Sequence, residues 1–235
     1  MKTLVISLGG SVLVPTLGDH RIREYSQVLQ KIGEKHRVFV VTGGGGEARR
    51  YIDAARVSGA DEGTADEIGI MVTRLNAFLL LAGLGQAAYP KVAIGQADAL
   101  EYAESGKIVV MGGVTPAQTT DAVAAVLAER TSADLLVNLT SVDGIYSADP
   151  KADPKALKYS HLTPGKLAEI VGSTDLRAGS NNVMDPVAAR IIRRSRIPLL
   201  VIDGRSPDNL YEAVIVGRHS GTIVSEEENA GLLPL

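Results

Sequence analysis

Apolar residues in this chain come in short runs that end in glycine or a polar turn, and longer amphipathic stretches follow them. Residues 3–8 (TLVISL) and 37–42 (RVFVVT) are apolar through nearly every position, as strands buried on both faces are. Runs of the same kind occupy residues 107–111, 134–140 and 198–203, and shorter ones sit at 91–94 and 222–225. Between them the period changes. Ile22, Tyr25, Val28, Leu29 and Ile32 share one helical face over residues 21–34. Helices are also predicted over residues 47–57, 66–84, 120–130, 164–172, 186–195 and 207–216, three of them with proline in the first turn. Strands alternating with helices predict an α/β fold with a largely parallel sheet covered on both faces. Residues 141–158, with Asp149-Pro150 and Asp153-Pro154, read as a turn-rich exposed loop.

Composition narrows the function classes. In 235 residues there are no Cys, no Trp and only two Phe, so the core is built from Val, Ile, Leu and Ala. Without Cys there is no thiolate nucleophile and no cysteine zinc site. The four histidines, His20, His36, His161 and His219, have no metal-ligand spacing. The net charge of −3 shows no basic excess of the kind nucleic acid requires. The wholly apolar runs, residues 77–82 and 122–128 among them, are too short to span a bilayer. Gly9-Gly10-Ser11 interrupts the apolar start, which argues for a first strand rather than a signal peptide. The expectation is a cytoplasmic protein with no membrane or nucleic-acid partner. A chain of this length can bury roughly 70% of its surface as one domain.

The candidate chemistry lies at the strand ends. Gly9-Gly10, Gly43 to Gly46 and Gly112-Gly113 each follow a predicted strand. In open parallel sheets, ligands bind beyond the carboxyl ends of the strands. Glycine lets main-chain N–H groups approach an anion, and a helix starting there adds its positive end. A single cluster would suit a tight turn; three together point to a phosphate site. No P-loop pattern is present, and Arg49 stands where a dinucleotide fingerprint would need glycine. Arg49 is a candidate phosphate ligand. Arg50 reads as solvated surface. Thr119 and Thr120 precede a helix, where their hydroxyls can cap it or meet a phosphate, and Asp121 is expected to point into the same cleft.

These motifs carry a family resemblance over essentially the whole chain. Ile6-Ser7-Leu8-Gly9-Gly10-Ser11, Thr42-Gly43-Gly44-Gly45, Ala48-Arg49-Arg50-Tyr51, Gly69-Ile70 and Thr73-Arg74-Leu75-Asn76-Ala77 occur in order. They are followed by residues 112–121, residues 140–150 and Asp185-Pro186 before Ala188-Ala189. The chain resembles the amino-acid-kinase superfamily and, within it, the archaeal uridylate kinase group. The resemblance implies a three-layer α/β/α fold around a mostly parallel sheet, in one domain of two lobes (about 1–130 for the acceptor and 131–235 for ATP). It also implies transfer of the ATP γ-phosphoryl group to UMP in pyrimidine nucleotide synthesis, with Mg²⁺ carried by ATP and a homohexameric assembly.

By motif position, the resemblance assigns Gly10, Ser11, Gly45, Arg49, Thr140, Tyr146 and Asp149 to ATP. It assigns Gly44, Asp66, Val114, Thr115, Pro116, Ala117, Gln118, Thr119 and Thr120 to UMP, with Asp66 on the ribose hydroxyls. Asp121 and Arg49 fall at the catalytic centre. Four positions depart from the pattern. Ser7 stands where many members of the superfamily have Lys, and a second Lys is replaced around Asp185-Pro186. The cations expected to balance the transferred charge are then Arg49, Lys151, Lys155 and the metal. Ser141 occupies a position that is often Asn, and Ala117 one that is often Gly, so Ala117 either accepts the loop's conformation or reshapes it.

Other acceptors on the same fold are alternatives: isopentenyl phosphate, carbamate or an acylated amino acid. The absence of His between His36 and His161 disfavours the first. A non-catalytic nucleotide-binding or storage protein is the remaining alternative.

Overall fold

The computed structural model describes residues 1–148, 150, 153–173 and 184–227. Among these, the chain runs β1 (Thr3–Leu8), α1 (Gly10–Leu13), α2 (Ile22–Gly33), β2 (Arg37–Thr42), α3 (Gly45–Val57) and α4 (Glu62–Leu84). It continues with α5 (Gln96–Ala103), β3 (Val109–Met111), α6 (Thr120–Arg130), β4 (Leu135–Thr140) and β5 (His161–Leu162). Last come α7 (Pro164–Ser173), α8 (Pro186–Ser195), β6 (Leu199–Asp203), α9 (Asp208–Tyr211) and β7 (Thr222–Val224).

The strands form one sheet in the order β3-β2-β1-β4-β6-β7-β5. All pairings are parallel except β6 with β7. The central strands are apolar on both sides because both faces are covered. Leu4, Ile6 and Leu8 of β1 pack with α1, α2 and the inner face of α4. Val5 packs on the opposite face with α5, α6, α7 and α8. The result is the three-layer α/β/α arrangement, and β1–β4 pairing makes the sheet continuous across both halves of the chain.

Three of the expected elements take a different form. The expected strand at 91–94 is reduced to one bridge, Ala93 to Met111. Helix α4 starts at Glu62, one turn before the expected start, because Asp61 caps it by accepting the Thr64 N–H at 2.8 Å. The helix expected over 207–216 is α9 followed by a wider π-turn, Glu212–Val216.

Residues 62–87 are long and apolar enough to cross a membrane by length and composition, which counting unbroken runs missed. In the fold they are a packed helix and the turn that follows it. Ala65, Val72, Ala77, Leu80 and Leu84 point inward, while Met71, Leu75, Phe78 and Leu79 point out.

Candidate active site

The carboxyl ends of β1, β2 and β3 meet where the glycines are. A Cβ on Gly10 would lie 2.5 Å from the Gly43 carbonyl oxygen, and one on Gly45 2.6 Å from the Gly10 carbonyl carbon. Gly45 also has φ +67°, a left-handed conformation. Gly10, Gly43 and Gly45 are therefore required for two main-chain segments to touch, whereas a Cβ on Gly44 would meet Ala48 of α3. This is a structural demand that the phosphate reading alone does not include.

Helix α4 is tied to these ends by polar contacts. Thr42 Oγ1 donates to the Thr73 carbonyl at 2.9 Å. Thr73 Oγ1 accepts from the Gly113 N–H at 2.7 Å, and Asn76 Nδ2 donates to the Gly43 carbonyl at 2.8 Å. Arg74 Nε reaches the Gly113 carbonyl at 3.1 Å. Thr73, Arg74 and Asn76 entered the sequence reading only as parts of a motif. Their anchoring role depends on the packing of α4 over β2 and β3.

Between α3, α4 and the loop after β3 lies a cleft of about 430 Å³. Gly44, Gly45, Ala48 and Ile52 form one wall, and Asp66, Gly69, Ile70 and Thr73 a second. Gly113, Thr115, Ala117, Gln118, Thr119 and Thr120 close the third side. Two helix N-termini converge here. The first N–H groups of α3 follow Gly44 with no side-chain cap. Helix α6 begins at Thr120, with Thr119 as its cap, accepting from the Ala122 N–H at 3.2 Å. Unpaired N–H groups and helix dipoles at one cleft make an anion site. Asp66 Oδ2 accepts the Ala117 N–H at 2.7 Å, and Ala117 is itself left-handed, with φ +60°. Ala117 thus accepts the loop's conformation instead of reshaping it.

Not every expected residue lines this cleft. Val114 packs inward against the core beneath α5 and α6, and Pro116 does not line the cleft. Arg49 is exposed on α3 and has no ion-pair partner among the described residues, whereas Arg50 is held by Glu47 at 2.6 Å. Gly10 and Ser11 open α1 beside Gly45. Thr140 ends β4, where its carbonyl accepts the Gly204 N–H at 2.8 Å. Tyr146 donates to Asp143 at 2.8 Å, and Lys158 pairs with the same carboxylate at 2.7 Å. Asp149 and Lys151 lie outside the described residues. Lys155 is exposed.

Asp121 does not line the cleft as expected. One residue past Thr120, it turns toward the sheet, and Oδ1 accepts from Ser7 Oγ at 2.7 Å. Burial pushes its carboxyl above the usual carboxylate range. The Asp185 charge pushes the same way, while hydrogen bonds from Ser7 and Asn138 oppose it. Asp185 caps α8, accepting from Val187 and Ala188. The residues at both departures from the superfamily's lysines, Ser7 and Asp185, therefore stand beside Asp121.

A model of the amino acid kinase family matches residues 2–203. This chain belongs to the amino acid kinase family. It is 60% identical over 232 residues to a uridylate kinase of Methanoculleus marisnigri, covering 99% of each chain. It is 58% identical to a uridylate kinase of Methanoregula boonei over the full length of both. The crystal structure of uridylate kinase from Archaeoglobus fulgidus superimposes with a TM-score of 0.86 at 45% identity, covering 96% of this chain and all of that one. A UMP kinase structure from Bacillus anthracis, at 24% identity and TM-score 0.78, shares the fold.

Proposed function

We propose that this chain is a uridylate kinase, transferring the γ-phosphoryl group of MgATP to UMP to give UDP and ADP. The observation that carries the reading is the cleft where α3 and α6 both begin and where Asp66 stands opposite the Gly44-Gly45 turn. Near-complete alignment with relatives named uridylate kinase supports the same substrate. A UMP phosphate fits between the two helix starts, and a ribose diol fits the Asp66 carboxylate.

The chemistry asks little of a general base. Phosphate has its second pKa near 6, so UMP arrives mostly as a dianion. One of its oxygens attacks the γ-phosphorus, the bond to the β–γ bridging oxygen breaks, and ADP departs with that electron pair. The protein must align the two phosphates and offset their charge. With a net charge of −3 it cannot do so through its overall field. Local N–H groups, Thr120 and Arg49 supply the positive potential, and the cation enters as part of MgATP. Gly10, Ser11, Thr140, Tyr146 and Asp149 belong to the ATP side of this reading.

The enzyme works in the cytoplasm, in pyrimidine nucleotide synthesis, as a homohexamer. Met71, Leu75, Phe78 and Leu79 form an outward apolar stripe on α4, at 64, 55, 55 and 38% exposure, which a second copy would cover.

ADP release measured with ATP, Mg²⁺ and a panel of UMP, CMP, dUMP, isopentenyl phosphate and carbamate tests the function. Turnover on UMP well above the others is expected. A different preferred acceptor would overturn the roles of Asp66 and Thr120, and nucleotide binding without turnover would favour a storage protein.

A further inference from the structure

Two polar side chains interrupt the apolar interior of the adjacent strands β1 and β4. Ser7 on β1 and Asn138 on β4 are each only 3% exposed. They are register partners across the parallel β1–β4 pair, so their side chains stand next to each other on one face of the sheet. It is the face of Val5, covered by α6 and α8. An apolar pair would suit this layer better, because a buried hydroxyl and a buried amide are costly unless bonded. Both side chains turn to one group. Ser7 Oγ donates to Asp121 Oδ1 at 2.7 Å, and the Asn138 side chain acts on the same carboxylate, favouring its ionised form. No Lys or Arg among the described residues forms an ion pair with Asp121, and the charge facing it from α8 is Asp185.

We propose that Ser7 and Asn138 are positioning residues for phosphoryl transfer, a two-donor cradle on the sheet floor that holds Asp121 in one orientation. The proposal rests on the reading that Asp121 acts at the reacting centre. Because the two donors come from adjacent hydrogen-bonded strands, their spacing is fixed by the sheet, not by rotamer choice. They also favour the ionised carboxylate, against the burial and the Asp185 charge that oppose it.

Ser7→Ala should lower kcat about tenfold, with KM for ATP and UMP each within twofold of wild type and a thermal midpoint a few degrees lower. Ser7→Thr, which restores a hydroxyl, should recover most of the loss. The acid limb of kcat should move to higher pH in Ser7→Ala, because the remaining donor, Asn138, opposes burial and Asp185 alone. In a double-mutant cycle, Ser7→Ala should add almost nothing once Asp121 is Asn. If Ser7→Ala does not fold, Asn138→Leu, of similar size and without a donor, carries the same expectations.

An unchanged kcat in Ser7→Ala, or losses that simply add in the cycle, would overturn the cradle. Wild-type kcat in Asp121→Asn would instead overturn the reading of Asp121 on which the cradle rests. Lack of UMP turnover by the wild-type chain would overturn the proposed reaction itself.

Discussion

The main-chain N–H of Ala117 donates to the Asp66 carboxylate at 2.7 Å, and Ala117 holds a left-handed φ of +60° to do so. One contact joins the first turns of α4 to the loop that precedes α6, closing the cleft on the side opposite Gly44. A non-glycine residue in that conformation costs about 1–2 kcal/mol, and the bond to a charged acceptor offsets a comparable amount.

Substitution at Ala117 should therefore follow backbone conformation more than side-chain size. Ala117→Gly removes the left-handed penalty but loosens the unfolded chain by about 0.4–1 kcal/mol. Its stability in urea should lie within about 1 kcal/mol of wild type. Ala117→Val places a β-branched residue where it fits worst, and should lose about 2 kcal/mol. Equal midpoints for the two variants would refute the strain argument.

Asp66→Ala should raise KM for UMP by ten- to a hundredfold and leave KM for ATP nearly unchanged. It deletes a charged hydrogen-bond partner on the acceptor side only, a loss of about 1.5–3 kcal/mol. Initial-rate kinetics with each nucleotide varied in turn distinguish this from a general collapse of the cleft, which would weaken both.

Asp121→Asn should trade activity for stability. The folded-state carboxyl is raised above its unfolded value, so the folded chain binds more protons in the window between the two. Stability then falls as pH rises through that window, and the deficit persists at neutral pH. Removing the charge should raise the thermal midpoint at pH 7, by about 3 °C for each kcal/mol recovered. The gain should shrink toward pH 4. Over the same comparison kcat should fall by about a hundredfold. A variant that is both inactive and less stable at pH 7 would contradict the argument.

The apolar stripe on α4 makes an assembly prediction. Phe78→Glu, at a position 55% exposed, should leave the protomer folded and shift it to a smaller species in analytical ultracentrifugation. Unchanged sedimentation would place the oligomer contacts elsewhere.

How much of this was legible beforehand follows from the distance over which each feature is decided. The first two strands and helices α6 and α8 have the bounds the pattern predicts, because burial on two faces and a proline or threonine start are local signals. The two-residue strand β5 and the eight-residue α5, half of it polar, are too short to show a period. The strand expected at 91–94 fails because only Ala93 reaches β3. In the site, the glycines announced themselves, but their mutual contact did not. Asp121 was expected in the cleft because helix position alone cannot show that Ser7 and Asn138 wait beneath it. Their partnership depends on the register of two strands separated by more than a hundred residues. Ile52 lines the cleft because α3 packs on α4, a packing choice with no motif of its own.

The contact of Gly10 with Gly43 to Gly45 bears on how such an enzyme could change its acceptor. The two turns, one opening α1 and the other α3, meet main chain to main chain, so no rotamer sets their separation, and a side chain added at Gly10 or Gly45 would force them apart. Under the proposed reaction the alignment of the two phosphates would be inherited from the sheet, while Asp66, Gly69 and Ile70 stand on α4 at the far wall of the cleft. Replacement at Asp66, Gly69 or Ile70, clear of the Thr73 and Asn76 anchors, would reshape what the acceptor must look like without moving the line of transfer. A scaffold divided in this way can drift toward new substrates and remain a kinase throughout.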